Sequence, residues 1–148
     1  MIPIKYSDRN FKRKKEGEKD FIFDDIRKVW LVLTEEEWVR QNFVAYLIND
    51  LNYPSSLIAL EKMLLLNDLK KRFDILVYDA THQPWMMVEC KAASVPLSES
   101  VLQQVLRYNI SIPVPYIIIT NGDSTIGWKK EENNLILIDK IPEWNSHQ

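Results

Sequence analysis

Phe73-Asp74-Ile75-Leu76-Val77-Tyr78 and Trp85-Met86-Met87-Val88-Glu89-Cys90-Lys91, separated by the turn-rich Thr81-His82-Gln83-Pro84, decide the fold of this chain. Two apolar runs of strand length around such a turn predict an antiparallel pair. Side chains two apart on a strand share a face, so Glu89 and Lys91 project together, and Asp74 can face Glu89 across the ladder. Two carboxylates brought to about 4 Å repel by several kcal/mol at an effective dielectric near 20, and one lysine offsets only part of that. A divalent cation is the natural compensation, and oxygen-only ligands favour Mg²⁺ or Mn²⁺. The simpler reading of Glu89-x-Lys91 is a salt bridge at a strand end, and spacing alone leaves both open.

Outward from this pair, Ser56 to Leu66, Lys70 to Asp79 and Trp85 to Ala92 form a predicted three-strand antiparallel meander, with Asn67-Asp68 as its first turn. Before it, Thr34-Glu35-Glu36-Glu37 is a capping box with Thr34 as N-cap and Glu37 at the third helical position. Val39, Phe43, Tyr46 and Leu47 carry the helical period to about Asp50, and Asn52-Tyr53-Pro54 ends it. Glu37 either completes the cap or contributes a third acid. Arg40 and Gln41, one turn further, are either exposed helix surface or phosphate contacts.

After the meander, Ser98 caps a second predicted helix that runs to Asn109, with Val101, Val105 and Leu106 as its apolar stripe. Gln104 and Tyr108 are four apart and share a face, as a surface glutamine with a half-buried tyrosine or as a polar pair beside the site. Pro113 and Pro115 bar extension. Tyr116-Ile117-Ile118-Ile119-Thr120 reads as a buried strand, Asn121-Gly122 as a turn, and Thr125 to Trp128 with Leu135 to Asp139 as a closing hairpin. Near the N-terminus Phe21-Ile22-Phe23 suits a short strand. The charge run Asn10 to Lys19 lacks apolar periodicity and is expected to be part of a flexible basic arm over residues 1–20, either solvated or touching phosphate. Residues 21–148 then form one domain.

Composition agrees with a single core: 148 residues, 46% hydrophobic and 27% charged, suit a globular domain. With 19 basic and 21 acidic side chains the net charge is -2, so nucleic acid must be met by a local patch rather than a global field. The lone Cys90 excludes an internal disulfide framework and a cysteine-rich zinc site, which fits a reducing cytoplasm. No apolar run reaches membrane-span length, and no signal-peptide h-region is present.

The ordered series Glu37, Asp74, Glu89-x-Lys91 and Gln104-x-x-x-Tyr108 resembles the PD-(D/E)xK nuclease superfamily. More narrowly, Glu37-Trp38-Val39-Arg40-Gln41, Lys71-Arg72-Phe73-Asp74, Val88-Glu89-Cys90-Lys91-Ala92, Gln104-Val105-Leu106-Arg107-Tyr108-Asn109 and Thr120-Asn121-Gly122 resemble the N-terminal nuclease domain of type I restriction enzyme R subunits. The similarity covers about Phe21 to Lys140, with Phe73 where the superfamily's name has Pro. It implies an α/β (α+β) restriction-endonuclease-like core, a mixed sheet whose antiparallel three-strand meander is flanked by helices. It implies Mg²⁺ or Mn²⁺ on Asp74, Glu89 and the Cys90 carbonyl, with Lys91 acting on the attacking water and Glu37 orienting the site. Gln104 and Tyr108 match the supporting motif of RecB-like members, and with Arg40, Gln41 and Arg72 they are the candidate DNA contacts. The expected reaction is hydrolysis of a DNA phosphodiester in the cytoplasm, by the domain alone, as a homodimer or with partner subunits. The reading from another class is a non-catalytic nucleic-acid-binding or assembly module that keeps the fold.

Overall fold

Thr34 starts the first helix as the capping box predicts: its Oγ1 accepts the Glu37 N–H at 3.0 Å, satisfying one of the unpaired amides of the first turn. The computed structural model describes residues 1–66 and 68–145, and only the backbone of Leu66 and Tyr108. In chain order the elements are β1 (Arg13–Glu16), β2 (Lys19–Asp24), β3 (Val29–Val32), α1 (Glu35–Asn49), a 3-10 turn (Ser55–Leu57), β4 (Ile58–Leu66), β5 (Leu69–Tyr78), β6 (Pro84–Cys90), α2 (Glu99–Asn109), β7 (Tyr116–Thr120), β8 (Thr125–Glu131) and β9 (Asn134–Ile138). Among the described residues no helix is long and apolar enough to cross a membrane.

The architecture is mixed α+β, with a six-stranded sheet ordered β4-β5-β6-β7-β8-β9 and a separate three-stranded sheet ordered β1-β2-β3. The predicted meander is β4-β5-β6, antiparallel throughout, and the predicted closing hairpin is β8-β9. β6 and β7 are parallel, which requires a crossover, and α2 supplies it.

Both faces of the large sheet are buried, and strand alternation assigns each residue to one of them. Met86, Val88 and Cys90 of β6 join Ile118 of β7 and Val39, Phe43 and Leu47 of α1 in one cluster. Met87 joins Ile117, Ile119 and Val105 of α2 in the other. Each fully buried side chain of this size contributes about 1.5–3 kcal/mol of transfer free energy. Burial on two faces explains why Tyr116–Thr120 is a continuous apolar run. It also settles where Glu89 points: it has the parity of Met87 and lies on the α2 face.

One irregularity shapes the site. Leu60 and Ile75, paired across β4 and β5, pack on the α1 side, whereas Leu64 and Phe73, of the same parity, pack on the α2 side. Between these pairs Glu61 lies at φ 53°, a left-handed conformation that is strained for a non-glycine residue. The two strands exchange faces there, and the tip of the β4-β5 hairpin rolls toward α2. The first meander turn is described at Asp68, φ 66°, and Asn67 lies outside the described residues.

The charge run expected as a flexible arm is structured where Arg13–Glu16 forms β1 and pairs with β2 through a two-residue turn at Gly17-Glu18. Gly17 takes φ 62°, which costs glycine little. β1 has no apolar residue to signal a strand. Its place comes instead from the ladder and from lysine stems laid on rings, with Lys14 Nζ 4.4 Å from the Trp30 centroid.

Candidate functional site

The β5-β6 register ends with Ile75 opposite Val88, and Asp74 and Glu89 are the next residues beyond that last pair. There the Cys90 N–H donates to Asp74 Oδ2 at 2.8 Å, and the Lys91 N–H donates to the Thr120 carbonyl at 2.8 Å. These bonds hold the Glu89-Cys90-Lys91 backbone between β5 and β7. Lys91 Nζ stands 3.9 Å from Glu89 Oε1, with side chains 33% and 23% exposed, so this pair is neither dry nor fully solvated. The Cys90 side chain turns the other way into the α1-side core, and burial pushes its thiol up. Its backbone, not its sulfur, belongs to the site.

Both acids are poor anions in this setting. Burial, and then the Asp74 charge, push Glu89 up to about 7, and Lys71 and Lys91 pull against that. Asp74 is also raised, mainly by burial, while the Cys90 N–H and Arg40 pull it down. Two half-buried carboxylates whose burial outweighs the nearby cations, one of them raised further by the other, present the electrostatic demand that a bound cation meets. Two carboxylates are oxygen donors of the kind that suits a hard ion. Among the described residues no three His, Cys, Asp or Glu side chains come together as a ready-made metal cluster, so carboxylates alone would supply two ligands.

On α1 the structure separates neighbours in sequence. Glu37 is buried and accepts from Arg40 Nε at 3.0 Å and Gln41 Nε2 at 2.9 Å, with Arg27 Nη2 at 3.9 Å. Arg40 and Gln41 are themselves buried. Arg40 also bonds Glu61, which in turn accepts from Arg72 Nε at 2.5 Å. This network of Glu37, Arg40 and Glu61 lies behind the carboxylates, where it fixes Arg40 as a positive charge felt by Asp74. Glu36, exposed in the first turn, is the α1 acid coupled to the front of the site: burial and then Asp74 raise it, and Lys91 opposes them. Three successive glutamates marked this turn in the sequence, but which one faces the sheet depends on the roll of α1.

An open cleft of about 680 Å³ lies between β5, β6 and α2, lined by Glu89, Lys91, Lys71, Gln104, Arg107 and Asn109 among others. Gln104 therefore shares a cleft with Glu89 and Lys91, on a helix capped by Ser98, whose Oγ accepts the Val101 N–H. The Tyr108 side chain lies outside the described residues. Arg72 is exposed but engaged with Glu61. Lys71 and Arg107 were not singled out from the sequence. Lys71 reaches the cleft because the strands exchange faces at Glu61, and Arg107 because it lies one helical turn beyond Gln104. Asn109 is buried, and its Oδ1 has no hydrogen-bond partner.

Comparison with curated proteins finds no match. A family model described as type I restriction enzyme R protein N terminus matches residues 35–142, from the first residue of α1 to just beyond β9. That span holds Asp74, Glu89, Lys91 and Gln104 in the arrangement described above. The chain belongs to the family of type I restriction enzyme R protein N-terminal domains.

Proposed function

We propose that this domain is a divalent-metal-dependent endonuclease that hydrolyses phosphodiester bonds in DNA. The observation that carries the reading is the pair Asp74 and Glu89, each disfavoured as an anion, with Glu89 and Lys91 together on an open cleft. Their carboxylates and the Cys90 carbonyl would hold Mg²⁺ or Mn²⁺. When bound, such an ion polarises the phosphate and lowers the pKa of a coordinated water.

The remaining work falls to this chain's own groups. Lys91 Nζ orients the attacking water and stabilises charge that develops on the phosphate oxygens. Lys71 and Arg107 hold non-bridging phosphate oxygens, and Gln104 positions the strand by hydrogen bonding. One water is consumed, the phosphorus–oxygen bond to the leaving sugar breaks, and that oxygen takes up a proton. Glu36 sets the charge at the rim, while Glu37, Arg40 and Gln41 position α1 from within. In a complete restriction system other subunits or domains would supply recognition and translocation.

Supercoiled plasmid incubated with Mg²⁺ or Mn²⁺ tests the reading. Wild type is expected to nick it, and Lys91→Ala, shown to be folded by circular dichroism, is expected not to. Equal background rates for the two would sink the catalytic claim. A non-catalytic nucleic-acid-binding module is the second reading, favoured by the absence of a three-side-chain metal cluster among the described residues. Calorimetric titration separates the two, because an inert module need not bind Mn²⁺ through Asp74 and Glu89.

A further inference from the structure

The sheet β1-β2-β3 precedes the span that the family model matches. One of its faces is anchored: Ile22 is fully buried, Arg13 lies 5.6 Å over the Trp38 ring of α1, and buried Asp24 binds Arg27 at 2.6 Å. Register partners share a face, so the pairs Lys14 with Phe21, Phe23 with Trp30 and Phe21 with Val32 define the opposite one. The three rings are partly exposed, and Val32 is 46% exposed. Phe23 and Trp30 meet edge to face at 5.3 Å. Lys12 Nζ lies 5.0 Å from the Phe23 centroid, and Lys14 Nζ 4.4 Å from that of Trp30. Both belong to Lys12-Arg13-Lys14-Lys15, four consecutive cations in a chain of net charge -2.

We infer that this outward face binds single-stranded nucleic acid without sequence preference, stacking bases on Phe23 and Trp30 and holding phosphates with Lys12 and Lys14. Aromatic rings interleaved with cations on an open sheet supply the two contacts that unpaired strands offer, a π-face and a phosphate. Charge selects this occupant: Lys12 and Lys14 lie over the rings of this face, Lys14 shared with Glu16 at 3.0 Å, and such ammonium groups repel a basic partner and gain from a polyanion. Each ammonium sits on a long flexible stem over a partly exposed ring, so it can swing to phosphate and free the ring for a base. The inference is independent of the cleft's chemistry.

The experiment uses the full chain in EDTA, so that cleavage plays no part. Fluorescence anisotropy measures binding of labelled oligothymidylate and oligouridylate of about 12 nucleotides, and of a duplex of the same length. Saturable binding of the single strands is expected, about tenfold weaker in Trp30→Ala. In the double variant Lys12→Glu and Lys14→Glu, the slope of log affinity against log salt should flatten by about 1.4. Single-strand binding that both variants weaken supports the inference, since the cleft is unchanged in them, and the preferred polymer identifies the source. It is overturned if neither binds, if only the duplex binds, or if both variants, with native circular dichroism, bind as wild type does. Self-association abolished by Trp30→Ala would equally overturn it, by making the face a protein interface.

Discussion

Glu89→Gln should make the metal-free protein more stable at alkaline pH while abolishing its proposed chemistry. Burial and Asp74 raise the Glu89 carboxyl from an ordinary 4.5 to about 7, and its side chain is only 23% exposed. The folded chain thus holds this proton more tightly than the unfolded chain does. Between pH 4.5 and about 7 the unfolded state carries fewer protons, so stability falls as pH rises through that window. At about 1.4 kcal/mol per tenfold, ionising Glu89 in place costs about 3 kcal/mol, of which about 2–3 kcal/mol is incurred between roughly pH 5 and pH 8. Glutamine keeps the size of the neutral carboxyl and does not ionise. Urea unfolding in EDTA should show the variant gaining about 2–3 kcal/mol on wild type across that pH range, or about 5–10 °C in a thermal scan. A stability difference that does not change with pH would refute the claim that Glu89 is strained as an anion. Restoring Mn²⁺ should then stabilise wild type and leave Glu89→Gln unmoved.

Three further outcomes follow from particular contacts. Glu37→Ala should cost about 3 kcal/mol in denaturant melts, because it strips a partner from buried Arg40. Glu36→Ala should leave the melt unchanged within about 0.5 kcal/mol yet weaken Mn²⁺ binding measured by calorimetry, since its carboxylate acts on the rim rather than the core. Asn121→Ala should cost about 1–3 kcal/mol in urea unfolding: its Oδ1 accepts the Asp123 and Ser124 amides, and its Nδ2 donates to the Val95 carbonyl, tying the turn after β7 to the loop after Lys91.

Local chemistry was the legible part of this fold. Thr34 and Ser98 announced both helices because an N-cap acts on amides three residues away. The β5-β6 pair was readable because apolar runs and a short turn dictate pairing between neighbours in the chain. β1 was not, since Arg13–Glu16 contains nothing apolar and is held by contacts with β2 and with Trp30. Which α1 acid meets which charge was not legible for a related reason. Glu37 fits the capping pattern, yet its carboxylate is taken by Arg40 and Gln41, while Glu36 senses Asp74 and Lys91.

The sequence by itself determined the elements of the large sheet, the antiparallel pairing of the strands that carry Asp74 and Glu89, the direction shared by Glu89 and Lys91, and the family. All of these rest on period, spacing and motif, which short-range geometry transmits. Only the tertiary structure decided which charges complete the site. The face exchange at Glu61 carries Lys71 into the cleft, and the roll of α1 sends Glu37 inward and leaves Glu36 outside. A helix turns by about 100° per residue, so one position separates a buried ion pair from an exposed acid that feels Asp74 and Lys91, and packing against the sheet makes that choice.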